Sequence, residues 1–256
     1  MHGEIMTGAL VWPIALGVLG AIVGSFIAAL VIRWPQDRSV ARGRSACDAC
    51  GRTLSAGDLV PLLSALVLRG RCRTCHAQID PLHWRIEATA ALVGVLAGVA
   101  TASSLAVVGA IFGWLLVALA ALDATALWLP DRLTITLAIA GVGTGLSGAS
   151  PPIGDRLIGG GTGFLALWAI AAGYKRLRGR EGMGGGDPKL FGAIGLWLGW
   201  RMLPAVLLLA SLIGLALVLV AAVRGRPMAR DTALPFGALL AAAAYPAWIA
   251  MIVSAS

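Results

Sequence analysis

The sequence predicts an all-α fold: a polytopic bundle of about eight transmembrane helices with a cytoplasmic insert built around a zinc knuckle. Three observations predict it. Of the 256 residues, 59% are hydrophobic and only 12% charged, roughly half the charged fraction of about 25% usual in soluble domains. The mean hydropathy is +0.87, and the apolar residues gather in runs near the length of about 20 that crosses a hydrocarbon core. The four cysteines (Cys47, Cys50, Cys72 and Cys75) lie together in one polar stretch between two such runs.

The first run extends from about Gly8 to Arg33. Met1-His2-Gly3-Glu4 offers no positive n-region and the run is longer than a signal-peptide core, so it is expected to stay as a span. Residues 34–84 form a polar insert with seven arginines and four acids. Residues 86–122 are nearly continuous apolar sequence, enough for two spans with a tight turn near Thr101–Ser104. A polar break at 123–132 precedes a fourth span ending near Ser150, and a glycine-rich fifth span covers 157–174. After the charged, glycine-rich stretch 175–187, spans six and seven are expected at 188–200 and 203–223, turning at Arg201. A basic loop at 224–232 leads to the eighth, at 233–253. Gly159-Gly160-Gly161 falls inside the fifth span, where small residues let helix backbones approach closely.

The net charge of +8 invites a nucleic-acid reading, but its distribution explains it otherwise. With the N-terminus placed outside, 18 of the 20 basic residues fall in segments 33–85, 123–132, 175–189 and 224–232, all on one side; only Arg156 and Arg201 fall on the other. That is the positive-inside pattern, and it predicts a multi-pass membrane protein with both termini facing away from the cytoplasm. No nucleic-acid partner is needed.

Cys47-x2-Cys50 and Cys72-x2-Cys75 have the spacing of two turns that each present two thiolates to one tetrahedral zinc. A basic, cytoplasmic segment favours a metal over disulfides. With four sulfur ligands the site would be closed and structural, substituting for the core that a small insert lacks. Free thiols or a redox pair are the plainer alternative. His2, His76 and His83 are poor catalytic candidates; His76 adjoins Cys75 and is read as a surface residue rather than a spare ligand.

Two acids stand out because carboxylates at membrane boundaries are costly. Asp123 closes the third span, and Asp187 follows Gly184-Gly185-Gly186 and opens the sixth. The topology puts both at cytoplasmic helix ends, where they can meet at one depth. A carboxyl pair sharing one proton can act as base towards water and acid towards a carbonyl. The glycines allow close backbone approach, and Pro188 suits a first helical turn. Asp131, in Leu129-Pro130-Asp131-Arg132-Leu133-Thr134, reads as a cap or loop residue at the fourth span. Taken without further information, Asp123 and Asp187 could equally be interfacial caps or cation ligands.

These segments together resemble the type IV prepilin peptidase family, a branch of the GxGD aspartic proteases. Gly184-Gly185-Gly186-Asp187-Pro188-Lys189-Leu190 is similar to its GxGDxKL motif, and Asp123 with the 129–134 segment to its first aspartate motif and PDxLT. Gly24-Ser25-Phe26 through Arg33-Trp34-Pro35 resembles the GSFLN…R-L-P signature. Val60-Pro61-Leu62, Ser64 and the segment from Leu68 to Cys72 resemble the link between the cysteine pairs, Glu87 the acid of RYPxVE, and Leu234-Pro235-Phe236-Gly237 a motif at the last span. The resemblance implies an aspartic endopeptidase with Asp123 and Asp187 as catalytic residues, cleaving the leader from type IV prepilins or pseudopilins at the cytoplasmic membrane boundary. It further implies a second activity found in many members, methylation of the new N-terminus with S-adenosylmethionine as cofactor. Two departures matter. Ala28 replaces the asparagine of the first signature, and residues 81–86 read Pro-Leu-His-Trp-Arg-Ile rather than the RYP form, which bears on methylation more than on cleavage. No role is evident for Lys189 or Glu87.

The expected organisation is an amino-terminal part, 1–85, comprising the first helix and the four-cysteine insert, and a peptidase transmembrane core, 86–256. The rival readings are a polytopic cation transporter and a zinc-bearing scaffold of a secretion or pilus machine. A cation pathway should place acids deep within spans, and mid-span acids are absent from the sequence.

Overall fold

The computed structural model describes residues 2–40, 45–101, 103–225 and 233–255. Arg42, Arg44, Arg226 and Arg230, part of the expected turn at 101–104 and the side chain of His2 lie outside them. The described residues are all-helical: α1 (His2–Arg33), α2 (Leu63–Val67), α3 (Leu82–Ala100), α4 (Ser104–Ala126), α5 (Asp131–Leu146), α6 (Ile153–Arg178), α7 (Asp187–Leu198), α8 (Leu203–Val223) and α9 (Phe236–Ala255). The only β pairing among them is two isolated bridges in the insert, Ala46 with Thr53 and Arg71 with Gln78.

Each of the eight expected apolar runs is a helix, and the insert adds only the short α2. Six helices (α1, α3, α4, α6, α8 and α9) are long and apolar enough to cross a membrane. The other two are short: α5 has 16 residues, and α7, on the sixth and shortest expected run, has 12. At 1.5 Å per residue these measure roughly 24 Å and 18 Å, against a hydrocarbon core of about 30 Å. The reason for the second is visible in its surroundings. All of α7 is buried in protein except Lys189 and Leu196, so lipid thickness does not set its length.

The chain divides into two compact units, Met1–Ala118 and Leu119–Ser256. In the first, α1 packs along α3 through small residues. A Cβ on Gly24 would lie 2.7 Å from Glu87 Cα, and one on Gly20 or Gly94 would run into the backbone of Ala90 or Leu16. The two helices therefore meet backbone to backbone, as membrane helices do when small residues line the seam. Ala28 and Ala90 are fully buried there, and Trp114 Nε1 donates to the Ala90 carbonyl at 2.9 Å.

In the second unit α7 is the central element, packed against α5, α6 and α9. The α6 glycines make this possible: a Cβ on Gly159 would sit 2.6 Å from the Gly195 carbonyl oxygen, and one on Gly160 2.6 Å from Leu196 Cδ2, whereas Gly161 has nothing within 4 Å. Of the triplet, then, two residues serve packing. Trp197, at 2% exposure, fills the space between α7 and α5 and donates Nε1–H to the Leu137 carbonyl at 2.7 Å.

Arg156, one of two basic residues that break the charge pattern, is only 2% exposed. Its guanidinium donates to the carbonyls of Gly141 (3.1 Å), Ala149 (3.3 Å), Ser150 (2.9 Å), Pro151 (2.8 Å) and Leu196 (3.1 Å), and to Thr144 Oγ1 (3.0 Å). The last carbonyls of a helix have no partners within it, and a cation there also suits the helix dipole. One arginine thus joins α5 and the loop that follows it to the last turn of α7. Arg156→Met keeps the apolar stem but removes all of these bonds, including those to the Gly141 and Leu196 carbonyls. A loss of about 3–5 kcal/mol is expected for such a removal, read as a large fall in thermal midpoint of the detergent-solubilised protein; an unchanged midpoint would refute the role.

Candidate active site and metal centre

Asp123 lies in the last turn of α4 and Asp187 is the first residue of α7. Both are 5% exposed. The element that brings them together is the start of α9. Ala238 N–H donates to Asp123 Oδ2 at 2.8 Å, and the Gly237 amide faces both carboxylates. A Cβ on Gly237 would stand 3.0 Å from Asp123 Oδ2 and 3.1 Å from Asp187 Oδ1, so these two oxygens are within about 6 Å of each other.

The glycine loop acts on Asp187 directly. Gly184 N–H donates to Asp187 Oδ2 at 3.1 Å, and Asp187 N–H returns a bond to the Gly184 carbonyl at 3.2 Å. Pro188 occupies the first turn of α7, where an amide hydrogen is dispensable. Asp123 therefore rests on the amino end of α9, whose free N–H groups favour negative charge, and Asp187 on the glycine loop before α7. Leu129 packs against the site from below the α5 start: a Cβ on Gly186 would lie 2.7 Å from Leu129 Cβ, and one on Gly237 2.7 Å from Leu129 Cδ1.

Asp131 does not act as the expected cap. Pro130 holds the cap position of α5, with no side-chain cap bond, and Asp131 instead pairs with Lys189 Nζ at 2.7 Å. Both partners are about half exposed, so the pair contributes little stability, of order 0–1 kcal/mol. What it does is fasten α5 to the start of α7 beside Asp187. This gives Lys189 a role that the sequence left open.

The four cysteines of the insert converge as expected: their Sγ atoms all lie within 4.8 Å of one another, and Cys47 and Cys75 are 3.8 Å apart. Tetrahedral zinc with Zn–S of about 2.3 Å requires S···S of about 3.8 Å. The cluster could hold a metal ion, zinc included, and is the one such group among the described residues. The two halves are built alike. Gly51 N–H donates to the Cys47 carbonyl (2.9 Å) and His76 N–H to the Cys72 carbonyl (3.0 Å), each residue having a positive φ, 68° and 56°. His76 is thus the turn residue of its knuckle, the counterpart of Gly51, and not among the clustered ligands.

Charges outside the sulfurs join the knuckles. Arg52 Nη1 donates to Thr74 Oγ1 at 2.6 Å, and Asp58 accepts from Arg52 and, at 3.0 Å, from Arg73. The Ser55 amide and hydroxyl, together with the two arginines, hold the Asp58 carboxyl below its ordinary pKa. Amides of Cys75 and Thr74 draw the Cys72 thiol down to about 6, favouring the thiolate that a metal needs. Glu87, buried at 7% exposure in the second turn of α3, accepts the Leu62 amide at 2.8 Å and so ties the insert to a helix.

Gly237, Ala238 and Arg156 were not singled out chemically by the sequence. The first belongs to a recognised motif whose role becomes apparent only when α9 meets the acids. Arg156 carried a faint signal, as a charge on the wrong side of the topology.

Fold and site together define a polytopic helical protein with a buried aspartate pair in one unit and a four-cysteine centre in the other. Residues 18–101 match the bacterial peptidase A24 N-terminal domain, and residues 110–219 match the type IV leader peptidase family. Among curated relatives, the prepilin leader peptidase/N-methyltransferase of Aeromonas salmonicida (strain A449) is 40% identical over 210 residues, covering 82% of this chain and 71% of that protein. The protein of the same description from Burkholderia pseudomallei (strain K96243) is 40% identical over 258 residues, covering 88% and 81%. That from Klebsiella pneumoniae is 37% identical over 207 residues, covering 78% and 91%. No solved structure matches the chain. The chain belongs to the type IV leader peptidase family. It is an enzyme, a peptidase, and a multi-pass protein of the inner membrane.

Two outcomes follow from this geometry. Gly237→Ala would place a methyl group between the carboxylates; proteolysis is expected to fall at least about 100-fold, consistent with misplacement by about 1 Å at a reacting centre, with folding and metal content retained. Replacing Cys47 and Cys50 by serine should abolish the one equivalent of metal per chain, measured by elemental analysis, and increase proteolytic nicking of residues 45–81.

Proposed function

We propose that the protein cleaves the leader peptide from type IV prepilins or pseudopilins at the cytoplasmic membrane boundary, with Asp123 and Asp187 as the catalytic pair. The observation that carries this reading is the convergence of both carboxylates on Gly237. One acid activates water for attack on the scissile carbonyl while the other protonates the oxygen or the leaving amine. The names of the relatives supply the substrate class. A cation transporter or a metal-bearing scaffold is not favoured, since neither would require a peptidase family's motifs around two convergent acids.

In this reading residues 1–85 carry the metal insert and 86–256 the peptidase core; the amino-terminal family match continues to residue 101. Zinc is the metal proposed for Cys47, Cys50, Cys72 and Cys75. Both termini are placed outside, with eight crossings rather than six. Omitting α5 and α7 as crossings would put Lys175, Arg176 and Arg178 at the end of α6 on the side opposite Arg132, against the positive-inside bias. Lipid of the bilayer and the pilin substrate are the partners, and no nucleic acid is involved.

N-methylation of the cleaved product with S-adenosylmethionine is the second activity. Its support is the joint description of the relatives and the presence here of Gly24, Arg33, Pro35, the cysteine pairs and Glu87. The Ala28 side chain is fully buried in the first unit, so the missing amide removes about one neutral hydrogen bond, worth roughly 1 kcal/mol net.

The test is purified protein incubated with a prepilin, the product read by intact mass. Cleavage is expected, with one added methyl group when S-adenosylmethionine is present. Asp123→Ala and Asp187→Ala should each abolish cleavage; full activity of either, at normal expression, would sink the aspartic mechanism. Complete cleavage with no mass gain would leave a peptidase without methyl transfer.

A further inference from the structure

The insert is polar in composition, yet its central segment presents a compact set of bare apolar side chains. Leu59 (43% exposed), Val60 (40%), Leu63 (59%), Leu66 (77%) and Val67 (73%) are all exposed within nine residues of chain. A cluster of this kind on an aqueous surface is costly and normally marks a contact. Its position relative to the bilayer is fixed by a buried bond: Leu62 N–H donates to Glu87 Oε2 at 2.8 Å. Glu87 lies in the second turn of α3, one of the helices long and apolar enough to span.

One turn nearer the insert, Trp84 is 44% exposed with the Arg85 guanidinium 5.8 Å from its ring centre. An exposed tryptophan beside an arginine at a span's end is the signature of the headgroup level. The bond to Glu87 therefore holds Leu62 and its apolar neighbours at or below that level. Exposed Arg69 and Arg71 follow directly after α2, placed to meet anionic headgroups. The backbone at Leu62 supports a forced docking as well: its φ of 61° is unusual for a leucine, and such strain persists only where surrounding contacts fix it.

We propose that the segment Leu59–Val67 is an interfacial anchor that lays the metal insert on the bilayer, its occupant being phospholipid acyl chain and headgroup. Glu87 is the positioning residue, holding the insert against the membrane at the start of α3. In a protein whose substrate arrives partly within the bilayer, this anchor would keep the insert from tumbling free in solution.

The test uses the full chain in vesicles of phosphatidylethanolamine and phosphatidylglycerol, with the photo-reactive residue p-benzoylphenylalanine at Leu66, Leu63 or, as control, Gln78. After irradiation, intact mass should show phospholipid adducts at Leu66 and Leu63 and none at Gln78. Glu87→Ala combined with the probe at Leu66 should lower adduct yield several-fold at unchanged metal content, and Glu87→Gln, which keeps an acceptor oxygen, should restore it. A Leu66 probe that labels residues 119–256 or a second copy of the chain, or that yields no lipid adduct in the metal-loaded protein, would overturn the proposal.

Discussion

A chain buried in lipid must satisfy its backbone internally, and that constraint organises the second unit. Two of its helices are too short to end in the aqueous phase as ordinary spans do. Arg156 reaches across from α6 and engages the Gly141 carbonyl of α5 and the Leu196 carbonyl in the last turn of α7. With that last turn engaged, α7 can stop early, remain surrounded by protein and present its amino end to the site. The glycine seam with α6 serves the same purpose, since close packing compensates for the absence of a hydrophobic drive between helices in lipid.

The acid pair depends on where helices begin. Two carboxylates in such surroundings need hydrogen-bond donors, and the chain supplies them from the glycine loop before α7 and the free amides at the start of α9 instead of from basic side chains. A lysine or arginine in contact would favour the ionised form of both acids, which suits an ion pair better than a proton-sharing dyad. The nearby Lys189 is instead engaged by Asp131. Glycine at 237 is then a steric requirement: it is the one residue that allows both acids to approach the same helix start.

The amino-terminal unit solves a different problem, that of a small segment with little apolar interior. Its four sulfurs, the Asp58–Arg52–Arg73 network and the Glu87–Leu62 bond act in series. The first two hold the knuckles together, and the last ties them to a helix. The α1–α3 seam beneath them is made of glycine and alanine, so the point of attachment is rigid.

The sequence by itself determined the helices, because apolar length and loop charge are local properties that the bilayer reads directly. It also showed the paired cysteines, whose ligand spacing lies within two short turns, and it marked Asp123 and Asp187 as acids in costly places. Only the tertiary structure decided what depends on distant segments meeting. Asp131 turned from a cap into the partner of Lys189, 58 residues away. Gly237 acquired a purpose from acids 114 and 50 positions earlier. Arg156, read from the sequence as a stray charge, became the link between two helices, because its carbonyl partners belong to a folded bundle and leave no trace in the order of residues.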